Sequence, residues 1–335
     1  MYILGMESSC DETSAAVIEM TEGGERRICS NIVASQIEIH RVYGGVVPEI
    51  AGRAHIEAVS GITYEALREA GIGVHDLGLV AVTSHPGLIG ALLVGVNFAK
   101  SLAFANGIPL VGVNHIKGHI AATYLAHKDL KPPFLAVVVS GGHTSIYRVE
   151  DYNRLIEIGA TRDDAAGEAF DKIGRVIGLQ YPAGADMDKL ACEGKAGAVT
   201  LPSPALTGDT LDFSFSGIKT AALNYIHNLE QKGEEVPRAD LAASYTERIV
   251  SAIKSKAERA LELTGMERMV LAGGVAANSH LRRALSEMCE ERGAALYAPP
   301  LSLCGDNAAM IAAAGYYAYL DGERADTSLN ASACD

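Results

Sequence analysis

The chain has 335 residues, a formal net charge of −13 and 48% hydrophobic residues. At roughly 100 to 200 residues per domain, this length predicts two domains with a substantial core and excludes a peptide-sized binding module. The acidic charge argues against attraction to nucleic acid or anionic membranes by the overall field, so any polyanionic partner would need a local patch of cations.

Cysteine usage and hydropathy indicate the compartment. The six cysteines are scattered without a CxxC pair, which argues against both a disulfide framework and a cysteine zinc cluster. No uninterrupted apolar run reaches the ~18 to 20 residues of a membrane span, and residues 1–7 lack the basic segment of a signal peptide. We therefore expect a soluble, cytoplasmic protein without membrane contact.

Strands and helices alternate along the chain. β-Branched runs predict the strands, and apolar residues at helical spacing predict the helices. In chain order the first part contains strands at 2–6 and 15–18, a helix at 56–70, a strand at 79–83, a helix at 89–105, a strand at 110–113 and a helix at 115–126. Lys131-Pro132-Pro133 then interrupts the pattern. It predicts an N-terminal lobe at 1–130 and a C-terminal lobe at 131–305, with a helix at about 306–325 packing back on the first lobe.

The second lobe repeats the opening of the first. Residues 134–149 show a strand, a small polar turn ending in Thr-Ser and a second strand, which is the arrangement of residues 2–18. Residues 269–278 give a strand and a glycine turn that lead into a helix, matching the unit at 79–105. The sequence therefore predicts an α/β fold built by internal duplication.

Glycine-rich turns are the first candidate binding feature. Glycine is about one residue in ten here, against a usual share of about 7%. The two matching hairpin turns, at 7–14 and 140–145, could present backbone N–H groups to phosphate oxygens, because glycine lets donors approach a ligand closely. A third glycine-rich turn, at 273–278, could contact a base or a ribose, with Asn278 at the start of a helix. An ordinary tight hairpin, and for Asn278 a simple helix cap, remain alternatives. Neither GxGxxG nor GxxxxGK[ST] is present, which disfavours Rossmann and P-loop sites.

Two histidines four residues apart form the sharpest chemical pattern. His115 and His119 fall on one face of a predicted helix, within reach of one metal ion. Asp306, at the start of a late apolar helix, could complete a set of two histidines and one carboxylate. Surface histidines and an Asp cap are the alternatives. The HExxH pattern of zinc proteases is absent, because Ile116 follows the first histidine, so we discount peptidase activity.

Acidic residues in glycine-rich surroundings form a further group of candidates. Such carboxylates hold Mg²⁺, accept ribose hydroxyls or act as bases, although most loop carboxylates are simply solvated. They are Asp11, Glu12, Asp163, Asp164, Glu168, Asp171, Asp186 and Asp188.

Nine of these stretches together resemble one family, the tRNA N6-adenosine threonylcarbamoyltransferases, or TsaD family, once labelled O-sialoglycoprotein endopeptidases. The resemblance runs in order along nearly the whole chain, and its SGGHT and DDAAGEAFDK forms are similar to the bacterial branch. The stretches are GMESSCDETSAAV (5–17), PGLIGALLVG (86–95), NHIKGHIAA (114–122), VVSGGHT (138–144), DDAAGEAFDK (163–172), YPAGADMDKLA (181–191), FSFSGIKTA (213–221), LAGGVAAN (271–278) and CGDNAAMIA (304–312).

The resemblance implies a fold and an activity. The fold is the duplicated actin-like ATPase (ASKHA) fold of actin, Hsp70 and hexokinase, with a nucleotide cleft between two lobes. The activity transfers the threonylcarbamoyl group from threonylcarbamoyl-AMP to N6 of adenosine 37 in ANN-decoding tRNAs, giving t6A and releasing AMP. A nucleotide-switched actin-like binding protein and a small-molecule kinase of the same fold remain alternatives, and the two-histidine, one-aspartate set favours the enzyme.

The resemblance also implies the site residues and the cofactors. His115, His119 and Asp306 would bind one divalent metal, Fe²⁺ in preference to Zn²⁺. An adenine nucleotide, threonylcarbamoyl-AMP or ATP with or without Mg²⁺, would contact Val138, Val139, Ser140, Gly141, Gly142, Asp171, Gly184, Asp188 and Asn278. We expect acyl transfer without a covalent enzyme intermediate, with Asp11 or Glu12 orienting the N6 amine or accepting its proton.

Partners follow from the same resemblance. Bacterial members act on tRNA together with an inactive paralogue (TsaB) and a small ATPase (TsaE), while a separate synthase supplies threonylcarbamoyl-AMP. Because the chain is acidic, we expect tRNA binding to depend on local cations or on basic surface lent by partners. The cations proposed from the sequence are Arg26, Arg27, Arg41 and Arg53.

Overall fold

Each half of the chain builds a five-stranded mixed sheet in a computed structural model that describes residues 1–21, 24–203, 206 and 209–334. The first compact unit comprises Met1–Pro132, Asp151–Leu155 and Pro299–Asp335, and the second comprises Pro133–Glu150 and Ile156–Ala298.

The strands of the first unit are β1 (Tyr2–Glu7), β2 (Glu12–Met20), β3 (Arg26–Ser35), β4 (Leu77–His85) and β5 (Leu110–Asn114), in the order β3-β2-β1-β4-β5. β1 to β3 form antiparallel pairs, whereas β4 and β5 run parallel to β1. β1 is central, and its residues from Ile3 to Glu7 are all buried, as expected of a strand covered on both faces.

The helices of the first unit are α1 (Ile37–Arg41), α2 (Pro48–Ala70), α3 (Ile89–Asn106), α4 (His115–Ala126) and α10 (Ala308–Leu320). α2 begins eight residues before its predicted start at 56, because Pro48 occupies the first turn, where proline is favourable. α10 packs on the first sheet, and its Ala308 N–H donates to Ser14 Oγ on β2 at 2.9 Å.

One helix of the described residues is long and apolar enough to cross a membrane by length and composition, and it is α3. Core helices of water-soluble proteins pass the same test. In α3 six residues are buried, and Val96, Ala99 and Ala103 belong to the core cluster that includes β1 and β4. The length and composition of α3 therefore carry no argument for a membrane span.

The strands of the second unit are β6 (Phe134–Val139), β7 (Thr144–Val149), β8 (Leu155–Ala160), β9 (Arg268–Ala272) and β10 (Ala295–Tyr297). Their order, β10-β9-β6-β7-β8, is the order of the first sheet with β6 in the place of β1. β6 pairs antiparallel with β7 and parallel with β9, as β1 pairs with β2 and β4. The helices are α5 (Ala166–Val176), α6 (Gly184–Glu193), α7 (Ser216–Lys232), α8 (Arg238–Thr264) and α9 (Ser279–Glu291).

The unit boundaries differ from the predicted lobes by two residues at the linker and by two further segments. The predicted second lobe, 131–305, includes residues 131–132 and the segments 151–155 and 299–305, all of which fall in the first compact unit. In the first segment the Tyr152 ring stacks on Tyr317 at 3.9 Å and Asn153 Nδ2 donates to the Tyr317 carbonyl at 3.0 Å. In the second, Leu303 and Cys304 are buried just before α10. Packing around α10 therefore moves both segments into the first unit.

Candidate functional site

The two predicted histidines lie at the start of α4. Asn114 caps this helix, its Oδ1 accepting from Ile116 N at 2.8 Å and Lys117 N at 3.1 Å, so the helix begins at His115. His119 follows one turn later on the same face, and the two ring centroids lie 4.6 Å apart. Both side chains are buried.

Asp306 completes the group from just before α10. Its Oδ1 lies 3.2 Å from His119 Nε2 and 3.6 Å from His115 Nε2. The ligand atoms of all three residues lie within 4.8 Å of one another. The helix cap considered for Asp306 is instead Asn307, whose side chain accepts from Met310 N at 3.1 Å.

His119 provides a test of whether a metal fits here. Its side chain is 1% exposed, and among the described residues neither ring nitrogen has a hydrogen-bond partner, since the approach of Asp306 to Nε2 lacks hydrogen-bond geometry. A buried polar atom left without a partner costs about 1–3 kcal/mol. Two imidazoles and a carboxylate are ligands that Fe²⁺ and Zn²⁺ accept, so a divalent ion fits this donor set.

Glu7, which the sequence analysis did not select, contacts His115 from the end of β1. Its Oε2 lies 3.0 Å from His115 Nδ1 and accepts from Thr83 Oγ1 at 2.6 Å, while its Oε1 accepts from Ser9 N at 2.5 Å. Burial opposes ionisation of Glu7, but His115 outweighs it, so the pKa of this carboxyl is lowered. A carboxylate at Nδ1 fixes the ring orientation and leaves Nε2 facing Asp306.

Replacing Glu7 by glutamine should therefore weaken metal binding at this site. Partners of this kind commonly contribute 10–100-fold in affinity, so we expect a loss of about tenfold or more, measured by Co²⁺ titration of the metal-free chain. Glu19→Gln, at an exposed ion pair with Arg27 near the end of β2, is the matched control. Unchanged affinity in Glu7→Gln would show that His115 needs no such support.

Asp11 and Glu12 lie at the turn between β1 and β2, in the same unit. Asp11 is buried, and Glu12 opens β2 with its carboxylate 3.3 Å from Ser35 Oγ. Burial, together with the Asp306 and Asp11 carboxylates, raises the pKa of Glu12 to about 9. Without a cation nearby, Glu12 therefore holds its proton at neutral pH, which makes it a hydrogen-bond donor there.

This pKa predicts a pH-dependent stability of the metal-free chain. The folded-state pKa of about 9 lies above the ordinary value of 4.5, so the stabilisation is complete below pH 4.5 and is lost as pH rises towards 9. Glu12→Gln cannot ionise, and we expect it to melt at least ~2 °C above the parent chain at about pH 8, with the advantage vanishing at about pH 4.5.

Calorimetric scans of chelated protein across this range measure the effect. Glu19→Gln, from the exposed end of the same strand, should follow the parent chain throughout. Parallel curves for Glu12→Gln and the parent would contradict a raised pKa.

In the second unit the predicted phosphate turn joins β6 to β7. Ser140 N donates to the His143 carbonyl at 2.7 Å, and His143 N donates to Ser140 Oγ at 3.1 Å, while Gly141 and Gly142 are exposed. The side chains of Val138 and Val139 are fully buried, and their strand, β6, pairs with β7 on one edge and with β9 on the other.

Two glycines pack against this turn. Gly273 has φ +93°, a conformation that favours glycine, and a Cβ there would overlap the Val139 carbonyl oxygen. A Cβ on Gly167 would lie 2.6 Å from the Ser140 carbonyl oxygen, which accepts from Gly167 N at 3.2 Å. The start of α5 therefore contacts Ser140 and Gly141, and the turn after β9 contacts Val139 at the end of β6.

The remaining predicted contacts of the second unit are Asp171 within α5, Gly184 and Asp188 on α6, and Asn278 just before α9. Asp171 Oδ1 accepts from Ala183 N at 2.7 Å, just before Gly184 opens α6. Asn278 caps α9, its side-chain Oδ1 accepting from Leu281 N at 2.8 Å. The helix cap given above as the alternative for Asn278 is therefore present.

Asp188 joins α6 to α9. It accepts from Ser279 N at 3.1 Å and lies 2.8 Å from His280 Nδ1. Burial opposes its ionisation, but these hydrogen bonds outweigh it and lower the pKa of Asp188. The carboxylate therefore stays ionised at neutral pH.

The cations proposed for tRNA do not all remain available. Arg26 Nη1 donates to the carbonyls of Tyr124 at 2.7 Å and His127 at 3.3 Å, and its guanidinium lies over the Tyr124 ring. These contacts direct the Arg26 guanidinium toward the first unit. Arg27 and Arg41 form surface pairs with Glu19 and Glu38, whereas exposed Arg53 makes no ion pair with a described residue.

Comparison with solved structures defines the class of fold. HypF from T. kodakarensis matches 96% of this chain and 48% of its own with a TM-score of 0.66 at 15% identity. The (R)-2-hydroxyglutaryl-CoA dehydratase component A of Acidaminococcus fermentans matches 96% of this chain and 98% of its own with a TM-score of 0.55 at 16% identity. With its two sheets of one topology, the chain has the duplicated actin-like ATPase fold.

Sequence comparison identifies the family. The family model for TsaD, tRNA N6-adenosine threonylcarbamoyltransferase, matches residues 27–313. Proteins of that name from Clostridium botulinum (strain 657) and Clostridioides difficile (strain 630) are 52% and 49% identical, each covering 98% of this chain and 96% of the relative. The chain belongs to the tRNA N6-adenosine threonylcarbamoyltransferase family, as its motifs predicted.

Proposed function

We propose that the chain transfers the threonylcarbamoyl group from threonylcarbamoyl-AMP to N6 of adenosine 37 in ANN-decoding tRNAs and releases AMP. Family membership over 98% of the chain supports the reaction. The observation that carries the chemistry is the convergence of His115, His119 and Asp306 around a buried imidazole that no described residue satisfies.

We propose that these three side chains hold one divalent ion, Fe²⁺ in preference to Zn²⁺. Two histidines and one carboxylate leave open positions of the kind used by non-haem Fe²⁺. Such an ion would supply Lewis-acid polarisation of the acyl carbonyl. Glu7 would orient His115, and Asp11 or Glu12 would orient the N6 amine of adenosine or accept its proton. Because a nearby cation favours the ionised carboxylate, Glu12 would become a better proton acceptor once the ion is bound.

We propose that the second unit binds the adenylate. The exposed backbone N–H groups of Gly141 and Gly142 would contact phosphate oxygens, as in anion-binding turns, and Ser140, whose own N–H donates to the His143 carbonyl, would hold the turn in shape. Asp171 on α5, Gly184 and Asp188 on α6, and Asn278 at the start of α9 would contact the nucleoside, with Mg²⁺ as an optional companion of ATP.

We propose that the chain works in the cytoplasm with three further proteins. They are a TsaB-like inactive paralogue, a TsaE-like small ATPase and a synthase that supplies threonylcarbamoyl-AMP. The acidic charge of −13 supports a need for basic surface from a partner, since Arg26 is occupied internally.

This charge predicts weak tRNA binding by the isolated chain. We expect the affinity to fall about tenfold or more between about 50 and 200 mM salt, measured by filter binding, because the contacts would be few and electrostatic. Arg53→Ala should weaken binding further, while Arg68→Ala, paired with Glu65 on the same helix, should matter less. Tight binding that ignores salt would contradict this prediction.

The proposed reaction is tested by incubating the chain with threonylcarbamoyl-AMP and unmodified tRNA, with and without the proposed partners. Nucleoside analysis should show t6A at adenosine 37 and a matching amount of AMP. A parallel incubation with ATP and no adenylate distinguishes phosphoryl transfer. Phosphorylated product, or no t6A with every partner present, would contradict the proposal.

A further inference from the structure

A cysteine, a histidine and an aspartate form a chain of contacts on the surface of the second unit. Asp188 and Cys192 lie four residues apart on α6, and His280 is in the first turn of α9. His280 Nδ1 lies 2.8 Å from Asp188 Oδ1, and His280 Nε2 lies 4.0 Å from Cys192 Sγ. The Cys192 side chain is exposed, so reagents in solution can reach it.

The order of these contacts suits activation of the thiol. Asp188 is an ionised acceptor that also receives Ser279 N–H at 3.1 Å, so it holds the proton of His280 at Nδ1. In the neutral ring the Nε2 lone pair then lies 4.0 Å from Cys192 Sγ, whose S–H also donates to the Asp188 backbone carbonyl at 3.4 Å, and Nε2 can accept the thiol proton when the S–H turns toward it. A thiol, an imidazole and an orienting carboxylate are the arrangement that activates cysteine nucleophiles.

The other described cysteines lie in less reactive surroundings. Burial is the main cause that raises the pKa of the thiols of Cys10, Cys29 and Cys289, in the last case to about 11. Cys304 is buried, with Sγ near the carbonyls of Pro299 and Pro300. Cys334 is exposed, and no contact between it and an imidazole is present in the described part of the chain, which makes it a natural internal control.

We propose that Cys192 is a site of thiol modification that takes low-molecular-weight disulfides. The Cys192 proton passes to His280 Nε2, and Sγ attacks one sulfur of the disulfide. A mixed disulfide forms, the original S–S bond breaks, and the departing thiolate takes up the proton from His280. The net reaction is one thiol and one disulfide giving a mixed disulfide and a new thiol, with no other oxidant required.

An adduct on Cys192 has a consequence for the proposed adenylate site, on which this step rests. The adduct would lie against the Nε2 edge of His280 and press on the ring that contacts Asp188 through Nδ1. Because Asp188 is a proposed contact of the adenylate, thiolation of Cys192 lowers the affinity for adenine nucleotide and reduction restores it.

Competitive alkylation tests the reactivity directly. The full chain is treated with limiting iodoacetamide and, separately, with glutathione disulfide, and mass spectrometry of peptides gives the rate at each cysteine. Cys192 should react about tenfold faster than Cys334, and His280→Gln should bring Cys192 down to the rate of Cys334 without changing Cys334 itself. Asp188→Asn should act in the same direction. Unreactive Cys289 confirms that each variant remains folded, because its side chain is buried in the native chain.

Equal rates at Cys192 and Cys334 in the parent chain, or a Cys192 rate that does not change in His280→Gln, would overturn the proposal.

Nucleotide binding is then measured by calorimetry with AMP before and after treatment with glutathione disulfide. We expect affinity to fall about fivefold or more, to return with dithiothreitol, and to stay unchanged in treated Cys192→Ser. Unchanged affinity in the thiolated parent overturns the coupling to the site. Absence of AMP binding before treatment instead counts against the proposed adenylate site, and the alkylation result stands independently.

Discussion

His119→Ala is expected to lose the bound divalent ion and to slow threonylcarbamoyl transfer by at least about 100-fold. The imidazole is 1% exposed, and its ring nitrogens have no hydrogen-bond partner among the described residues, so metal ligation is the role that fits it. Removing it leaves His115 and Asp306 as the remaining donors. Metal content by mass spectrometry and t6A formation should fall together.

The control for this variant is His227→Ala. His227 lies on the surface of α7, where its side chain is 76% exposed beside Glu230, and its loss should change neither metal content nor transfer. Normal transfer by metal-free His119→Ala protein would contradict the role of the metal. Full metal content in His119→Ala would instead place the metal elsewhere.

Gly184→Ala is expected to weaken adenine nucleotide binding by about tenfold or more while leaving the chain at least as stable. A Cβ at this position meets no atom within 4 Å, and Gly184 is the first residue of α6, where alanine suits a helix better than glycine. The added methyl group would therefore disturb only a ligand that fills this space. Calorimetry with AMP and thermal melting measure the two effects separately.

Gly61→Ala provides the comparison for this pair of measurements. Gly61 lies inside α2, in the first unit, and a Cβ at this position would again meet no atom within 4 Å. Alanine there should raise stability without changing nucleotide affinity. If Gly184→Ala bound AMP as tightly as the parent chain, the nucleotide would not approach α6 at Gly184.

The fold was predictable because its signals are local and repeated. Strand alternation and the two Thr-Ser turns indicated a duplication, and the two sheets do share one strand order. The start of α2 was missed because residues 48–55 lack strong apolar spacing, while proline is favourable in a first turn. No local pattern could place residues 151–155 in the first unit, because the contact between Asn153 and Tyr317 joins residues 164 positions apart.

The spacing of the candidate metal ligands in the sequence predicted their role. The contacts of the residues around them could not be predicted in the same way. In the sequence Glu7 is simply the polar residue that ends an apolar strand. Its partner His115 lies 108 residues away, so no local pattern connects the two residues. Arg26 reads as a free surface cation, yet its guanidinium is directed to the carbonyls at the end of α4. Asn278 was open to two interpretations, since a capping oxygen and a ligand contact require the same residue type.

The most direct test of the central claim is anomalous diffraction from crystals of the full chain grown with Fe²⁺ under anaerobic conditions. Data collected above and below the iron absorption edge would locate the metal without reference to activity. We predict one anomalous peak among the side chains of His115, His119 and Asp306. No peak at these residues, or a peak bound by other side chains, would contradict the metal centre on which the proposed reaction rests.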